Sequence, residues 1–176
     1  MLRTLAALAL ATAVSAEAPA LALADPPAPT PCGLTNGAEV TIDVPAWHAV
    51  LLPWKIHPGD VVSLTAEGSM HGGYWLAPWN GPSGLASWRA RSDWPLPGVN
   101  EYALFGTLSG IQHTQRMPFV VGTRSGCVRY SPAPIDGIRQ PAALWLDNND
   151  VWPVDNQGAF RVRVSLRTSR PVVERL

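Results

Sequence analysis

Charge is scarce in this sequence. Only 15% of its 176 residues are charged, and 13 basic and 13 acidic residues leave a formal net charge of zero. All basic residues but Lys55 are Arg, and they are scattered along the chain, so we expect no nucleic-acid-binding surface. Beyond the first two dozen residues no apolar run is long enough to cross a bilayer, so we expect no membrane span there.

The motifs of common enzymes are also missing. The four histidines (His48, His57, His71 and His113) lie far apart and form no H-x-x-x-H pair for zinc, and no G-x-S-x-G segment marks a serine nucleophile. A glycosidase needs two carboxylates at a set separation, which a sequence does not give. The candidates for such a pair are Glu67, Asp93, Glu101, Asp136, Asp150 and Asp155. We therefore expect no enzyme, with a carbohydrate-active enzyme as the minor alternative.

The start of the chain predicts export. Met1-Leu2-Arg3 is short and positive, residues 5–14 are apolar but only about half as long as a membrane span, and small residues follow. We predict a signal peptide over residues 1–24, with cleavage after Ala24 preferred and cleavage after Ala16 left open. Residues 25–37 then form a Pro-rich N-terminal extension. The mature protein is expected to be periplasmic or secreted.

The chain has two cysteines, Cys32 and Cys127. In an exported protein they lie in an oxidising compartment and can pair. We predict a disulfide that ties the extension to a later strand, and two buried free thiols are the alternative.

Helix signals are nearly absent after the signal peptide. Between the 18 prolines and 15 glycines, short runs carry apolar residues at every second position. The clearest runs contain Val40, Ile42 and Val44; Val62, Leu64 and Ala66; and Phe160, Val162, Val164 and Leu166. Further candidates are residues 49–52, 102–108, 119–121, 127–130 and 142–146. About eight short strands with one apolar face each predict an all-β protein, a small antiparallel β-sandwich.

We place this jelly-roll-like domain at residues 38–168, followed by a C-terminal tail at residues 169–176. Residues 69–96 do not alternate and are rich in Trp, Gly and Pro. They predict long loops at one end of the sandwich, where binding sites are commonly placed.

An oxygen-rich loop precedes the last strand. Residues 149–158, NDVWPVDNQG, contain two carboxylates and two usable side-chain amides. Calcium needs six to eight oxygens at roughly 2.3–2.6 Å, and this loop is rich in them. Asp, Asn, Pro and Gly also make ordinary turns, so a metal loop and a plain turn both remain open on composition alone.

Four segments occur in the same order as in a known family. They are Pro58-Gly59-Asp60 before the strand at 61–66, the WNGPSG of residues 79–84, the YALFGTL of residues 102–108, and Asn149-Asp150-Val151 followed by the DNQGAF of residues 155–160. From about residue 41 to residue 166 the chain resembles the PA-IL-type galactophilic, calcium-dependent bacterial lectins of Pseudomonas. The resemblance implies a galactose-binding β-sandwich, a calcium ion that bridges protein and galactose-containing glycans, and a homo-oligomer.

The motifs also imply site residues. The implied calcium ligands are the side chains of Asp150, Asp155 and Asn156, a backbone carbonyl from residues 152–154 (Trp152 or Val154), and a carbonyl from Gly72, Gly73 or Tyr74. The implied sugar-binding residues are Asp150, Val151, Asp155, Trp152, Tyr74, Trp75 and His71. In a lectin an exposed indole stacks on a sugar ring, so Trp79 and Trp94 are further candidates. We assign Trp47, Trp54, Trp88 and Trp145 to packing.

The chain departs from the family in the same loop. The segment from Asp150 to Gly158 is shorter, and Asp155 stands where Asn is usual. An added carboxylate should strengthen calcium binding where geometry allows, whereas a shorter loop could misplace a ligand. The family's His and Gln at the galactose hydroxymethyl group have no match here. A structural or interaction sandwich that has lost sugar binding is therefore the second function class.

Overall fold

A computed structural model describes residues 32–34, 36–110, 116–135 and 137–176. The predicted signal peptide, most of the Pro-rich extension, His113 and Asp136 lie outside these residues. The strands are β1 (Asn36–Pro45), β2 (Val50–Ile56), β3 (Val61–His71), β4 (Leu85–Arg89), β5 (Asn100–Glu101), β6 (Leu104–Gly110), β7 (Arg116–Val120), β8 (Val128–Arg129), β9 (Ala142–Asn148) and β10 (Gln157–Thr168). A 3-10 helix, Pro153–Asp155, precedes β10. Among the described residues no helix is long and apolar enough to cross a membrane.

The strands build an antiparallel β-sandwich, which confirms the predicted fold class. One four-stranded sheet has the order β1-β10-β3-β8, the other has the order β2-β9-β6-β7, and β4 and β5 form a separate two-stranded sheet. Apolar side chains of both four-stranded sheets share one buried cluster, in which Leu64, Leu108, Leu144 and Val164 are at most 1% exposed. Two sheets that each have one apolar face bury those faces against each other.

Strand β10 shows why the alternation was a reliable signal. Phe160, Val162, Val164 and Leu166 are all buried, and the arginines between them point to the other face because successive side chains alternate across a strand. β10 pairs with β1 on one side and with β3 on the other. Each large apolar side chain buried here contributes roughly 1.5–3 kcal/mol.

The prediction of long loops over residues 69–96 is wrong in part. β3 continues to His71, Met70 forms an antiparallel bridge with Asn80, and Leu85–Arg89 form β4. No residue of β4 is fully buried, so this strand lacks the apolar alternation by which a half-buried strand is detected.

Cys32 and Cys127 form a disulfide, as predicted. At the other end of the chain the predicted tail lies along β2. The N–H of Lys55 donates to the carbonyl of Glu174 at 2.9 Å, the N–H of Leu176 donates to the carbonyl of Pro53 at 3.1 Å, and Val173 packs against the core. The tail therefore covers the edge of β2 that faces away from β9.

Candidate functional site

The oxygen-rich loop lies beside the turn that follows β3, because β3 and β10 are paired at this end of the sheet. Their register places Gln157 opposite His71, so the residues just beyond each strand face one another. The N–H of Gly73 donates to Asn156 Oδ1 at 3.2 Å. A Cβ atom added to Gly73 would overlap the Asp155 carboxylate. The fold thus brings together the two segments that the sequence predicted as ligand sources.

Asn156 holds the loop to the sandwich. Its side chain is buried, and Nδ2 donates to the carbonyl of Ala46 at 3.1 Å and to Asn148 Oδ1 at 3.4 Å. Asn148 Nδ2 also donates to the carbonyl of Ala46. Both ends of the Asn156 amide therefore have protein partners, and Oδ1 keeps one lone pair for a further contact.

Asp150 and Asp155 carry the negative charge of the site. Asp150 is buried, and its Oδ1 accepts a hydrogen bond from the N–H of Trp152 at 3.0 Å. Asp155 ends the 3-10 helix and is exposed. Within the described part of the chain neither carboxylate forms an ion pair. The charge of this loop is thus left without a basic partner in that part of the chain.

Tyr102, which the sequence marked only as the start of a strand candidate, lies beneath the site. Its side chain is 5% exposed, and a Cβ atom on Gly72 would overlap its ring. Burial first, and then the charges of Asp150, Glu101 and Asp155, raise the pKa of the Tyr102 phenol to about 12. The charges of all three carboxylates therefore act on this one phenol.

The backbone at Tyr102 explains why its position was missed. It has a φ of 62°, and it is the one non-glycine residue with positive φ in the described ranges. The predicted strand over residues 102–108 therefore starts only at Leu104. A tyrosine in an apolar run resembles any strand residue, so no local signal marked the left-handed conformation.

Exposed aromatic side chains lie in or directly after the turn that follows β3 and in the oxygen-rich loop. Trp75 is 79% exposed, Trp152 is 66% exposed and Tyr74 is 49% exposed. Val151 and Val154 are exposed on the loop itself. His71 is partly buried and packs against Trp79, with ring centroids 5.7 Å apart. Single exposed apolar side chains are ordinary on protein surfaces, whereas several close together are informative.

The structure corrects three of the tryptophan assignments. Trp145, assigned to packing, lies on the outer face of β9, because the neighbouring Leu144 and Leu146 point into the core. Trp94 is not a sugar platform, because it is buried and packs edge-on against Tyr102 at a centroid distance of 5.6 Å. Trp47, assigned to packing, is 48% exposed. Trp54 is buried, as predicted. Sequence context does not separate these cases, because a Trp beside a turn can face either way.

Asn149, which opens the Asn149-Asp150-Val151 motif, has a structural role. It is fully buried, its Oδ1 accepts from the N–H of Leu96 at 2.8 Å, and its Nδ2 donates to the carbonyls of Leu96 at 3.1 Å and Asn100 at 3.2 Å. This amide fixes the loop before β5 to the strand end that carries Asp150.

The oxygen donors of the site are of mixed type. No group of three His, Cys, Asp or Glu side chains converges as a metal site in the residues that the structure describes. A cation here would therefore need backbone carbonyls and the Asn156 amide oxygen beside the two carboxylates. Hard cations such as calcium are coordinated by oxygen ligands of this kind, whereas zinc prefers nitrogen and sulfur ligands.

Comparisons with known proteins find a likeness among solved structures. No protein family profile matches the chain, and no curated protein matches it. Among solved structures the chain is similar to the N-terminal domain of EclA, described as a PllA-like lectin, with 17% sequence identity and a TM-score of 0.49. That match covers 72% of this chain and 95% of the other.

Proposed function

We propose that this chain is a secreted, non-catalytic, calcium-dependent carbohydrate-binding protein that recognises terminal galactosides through a bridging calcium ion. The observation that carries the proposal is the meeting of Asp155 with the turn at Gly73. It brings the Asp155 carboxylate and the Asn156 amide oxygen to the turn after β3, which carries the exposed Tyr74.

The residues present fit calcium. Asp150 has a carboxylate oxygen beyond the one that accepts from Trp152, and Asp155 has a free exposed carboxylate. Carbonyls of residues 72–74 and 152–154 are the remaining candidate ligands, with Asn156 Oδ1. Two carboxylates without basic partners favour a divalent cation, because ligand charge raises calcium affinity. Bound calcium would supply coordination positions for two sugar hydroxyls.

The protein side chains would orient the sugar. Asp150 and Asp155 can accept hydrogen bonds from the coordinated hydroxyls, and these bonds to charged acceptors are stronger than neutral ones. Trp152 or Trp75 can cover the apolar face of the ring, since both indoles are exposed. Val151, Tyr74 and His71 would complete the contact surface.

Export and self-association belong to the same proposal. The Cys32–Cys127 disulfide suits an oxidising compartment such as the periplasm or the exterior of the cell. A monosaccharide site binds weakly, in the range of roughly 10 μM to 1 mM, because few atoms offset the cost of immobilisation. A homo-oligomer would raise the useful affinity through avidity.

The test is a calorimetric titration with calcium, followed by a titration with methyl galactoside in calcium and in EDTA. Asp150→Asn should abolish calcium uptake and galactoside binding together, because it removes a ligand charge. Asp43→Asn, on the exposed face of β1, is the matched control and should bind as the unchanged protein does. No calcium uptake, together with no signal on a glycan array in calcium, would reject the proposal in favour of a structural sandwich.

A further inference from the structure

The sheet β2-β9-β6-β7 carries a groove on its outer face, away from the core. Its volume is about 430 Å³, within the size range of small-molecule sites. Trp145, Phe105 and Leu96 form apolar parts of its lining, and Asp147, Arg116 and Thr107 contribute polar groups. None of these residues belongs to the candidate calcium site.

Strand register places these side chains on one face. In the β6–β9 ladder Thr107 is opposite Trp145, and Phe105 is opposite Asp147. Arg116 comes from β7, which pairs with the other edge of β6. The residues on either side of Trp145 in β9, Leu144 and Leu146, are buried in the core, as alternation requires.

One wall of the groove is held rigidly. Leu96 is bound through both its N–H and its carbonyl by the fully buried side chain of Asn149. A wall fixed by two hydrogen bonds loses little conformational freedom when a ligand binds. Such preorganisation favours affinity.

The two charged groups of the groove are available to a ligand. Asp147 accepts one hydrogen bond, from the N–H of Asn148 at 2.8 Å, and Arg116 is exposed. Neither forms an ion pair with any residue in the described ranges. Burial, the largest cause, raises the pKa of the Asp147 carboxyl. The cost of removing water from this carboxyl is therefore already included in the stability of the folded protein.

We propose that this groove is a second, calcium-independent carbohydrate site, in which a neutral pyranose packs on the Trp145 indole. Sugar hydroxyls would donate to Asp147 and accept from Arg116. A neutral sugar fits because it has an apolar ring face and an edge that both donates and accepts hydrogen bonds. Asp147 would repel an anion and Arg116 would repel a cation. An apolar ligand would remove water from both groups and leave them without hydrogen-bond partners.

The experiment is a glycan array probed in EDTA with the full-length mature protein, followed by calorimetry with the strongest hit. EDTA removes any contribution from calcium, so this readout is independent of the function proposed above. We expect binding that persists in EDTA and becomes about tenfold or more weaker in Asp147→Asn and in Arg116→Ala, because each loses a charge-assisted hydrogen bond. Arg124→Ala is the matched control, since Arg124 is exposed and bridges to Thr65 in the other sheet.

Two outcomes would overturn the inference. One is the absence of any glycan signal in EDTA while the protein remains folded by circular dichroism. The other is EDTA-resistant binding that both Asp147→Asn and Arg116→Ala retain at full strength. Because Arg116 lies exposed near the sheet edge, its removal tests the groove without disturbing the core.

Discussion

At the scale of single residues, Gly73 decides where the Asp155 carboxylate can lie. A Cβ at this position would overlap that carboxylate, and the backbone of Gly73 is not in the left-handed region. The backbone conformation of residue 73 therefore allows Ala, but the Cβ of Ala would collide with Asp155. The missing side chain allows the turn after β3 to approach the oxygen-rich loop.

We predict that Gly73→Ala lowers the free energy of unfolding by roughly 1–3 kcal/mol, as overpacking does. An added Cβ would lie 2.6 Å from the Cβ of Asp155, an overlap that side-chain rotation does not relieve, so the loop that carries Asp155 has to move. The same movement removes a ligand charge, so calcium affinity should fall at least about tenfold. Thermal unfolding and calcium calorimetry measure the two effects.

Gly81→Ala is the control for that substitution. A Cβ there would meet no atom nearer than 3.9 Å, and Gly81 lies in the loop that follows the Asn80 bridge. It should leave both stability and calcium affinity unchanged. If Gly73→Ala also binds calcium normally, Asp155 is not a ligand.

At the scale of elements, β2 depends on the chain's last residues. β2 is at the end of its sheet, and an unprotected edge strand can pair with other molecules. Pro53 suits an edge position because it has no N–H to donate, and its carbonyl accepts from Leu176. The tail therefore acts as a short additional partner of β2.

We predict that removing residues 172–176 lowers the free energy of unfolding by roughly 1–3 kcal/mol, through two lost backbone hydrogen bonds and lost packing of Val173. It should also promote self-association through the exposed edge of β2. Chemical denaturation and size-exclusion chromatography measure these effects.

Glu174→Gln separates backbone pairing from charge. It removes the ion pairs with Lys55 and Arg170 and the charged partner of His57 but keeps the hydrogen bond from the N–H of Lys55 to the carbonyl of residue 174. We expect a much smaller change, because exposed ion pairs contribute little. A loss as large as that of the deletion would show that the charges, and not the strand-like pairing, hold the tail.

At the scale of the whole molecule, the disulfide joins the segment before β1 to the segment before β8. It spans 95 residues of sequence. A cross-link of that span restricts the unfolded chain, which in the chain-entropy description stabilises the fold by up to about 4–5 kcal/mol.

We predict that the Cys32→Ser, Cys127→Ser double variant unfolds about 2–5 kcal/mol more easily in chemical denaturation. Its circular dichroism spectrum should be unchanged under native conditions, because strand pairing does not involve either cysteine. If the double variant and the oxidised protein were equally stable, the prediction would be wrong. The disulfide would then close a segment that is already ordered in the unfolded ensemble.

Much of the fold could be predicted from the sequence. Alternation in residues such as Val162 and Val164 is a local consequence of burying one face of a strand, so it identified the sandwich and most of its strands. β4 was not predicted from the sequence, because none of its residues is fully buried. The disulfide was predictable for a different reason, since a chain whose start predicts export has only two cysteines, which allow a single pairing.

The candidate site was predictable only as a set of segments. Composition and family resemblance indicated residues 150–156 and 72–74, but the contact between Gly73 and Asn156 joins residues that are 83 positions apart. That contact depends on the register of β3 and β10, which is a property of the folded sheet. The same reason explains the roles of Tyr102 and Asn149, which no local pattern revealed.

The sequence by itself thus determined which strand faces are apolar and which residues can pair as a disulfide, because these follow from short-range chemistry and composition. Only the tertiary structure decided which loops meet, which tryptophans are exposed, and that Trp145, Asp147 and Arg116 line one groove. Those facts arise from pairing between distant strands, and the side chains involved acquire their neighbours only when the sheets form.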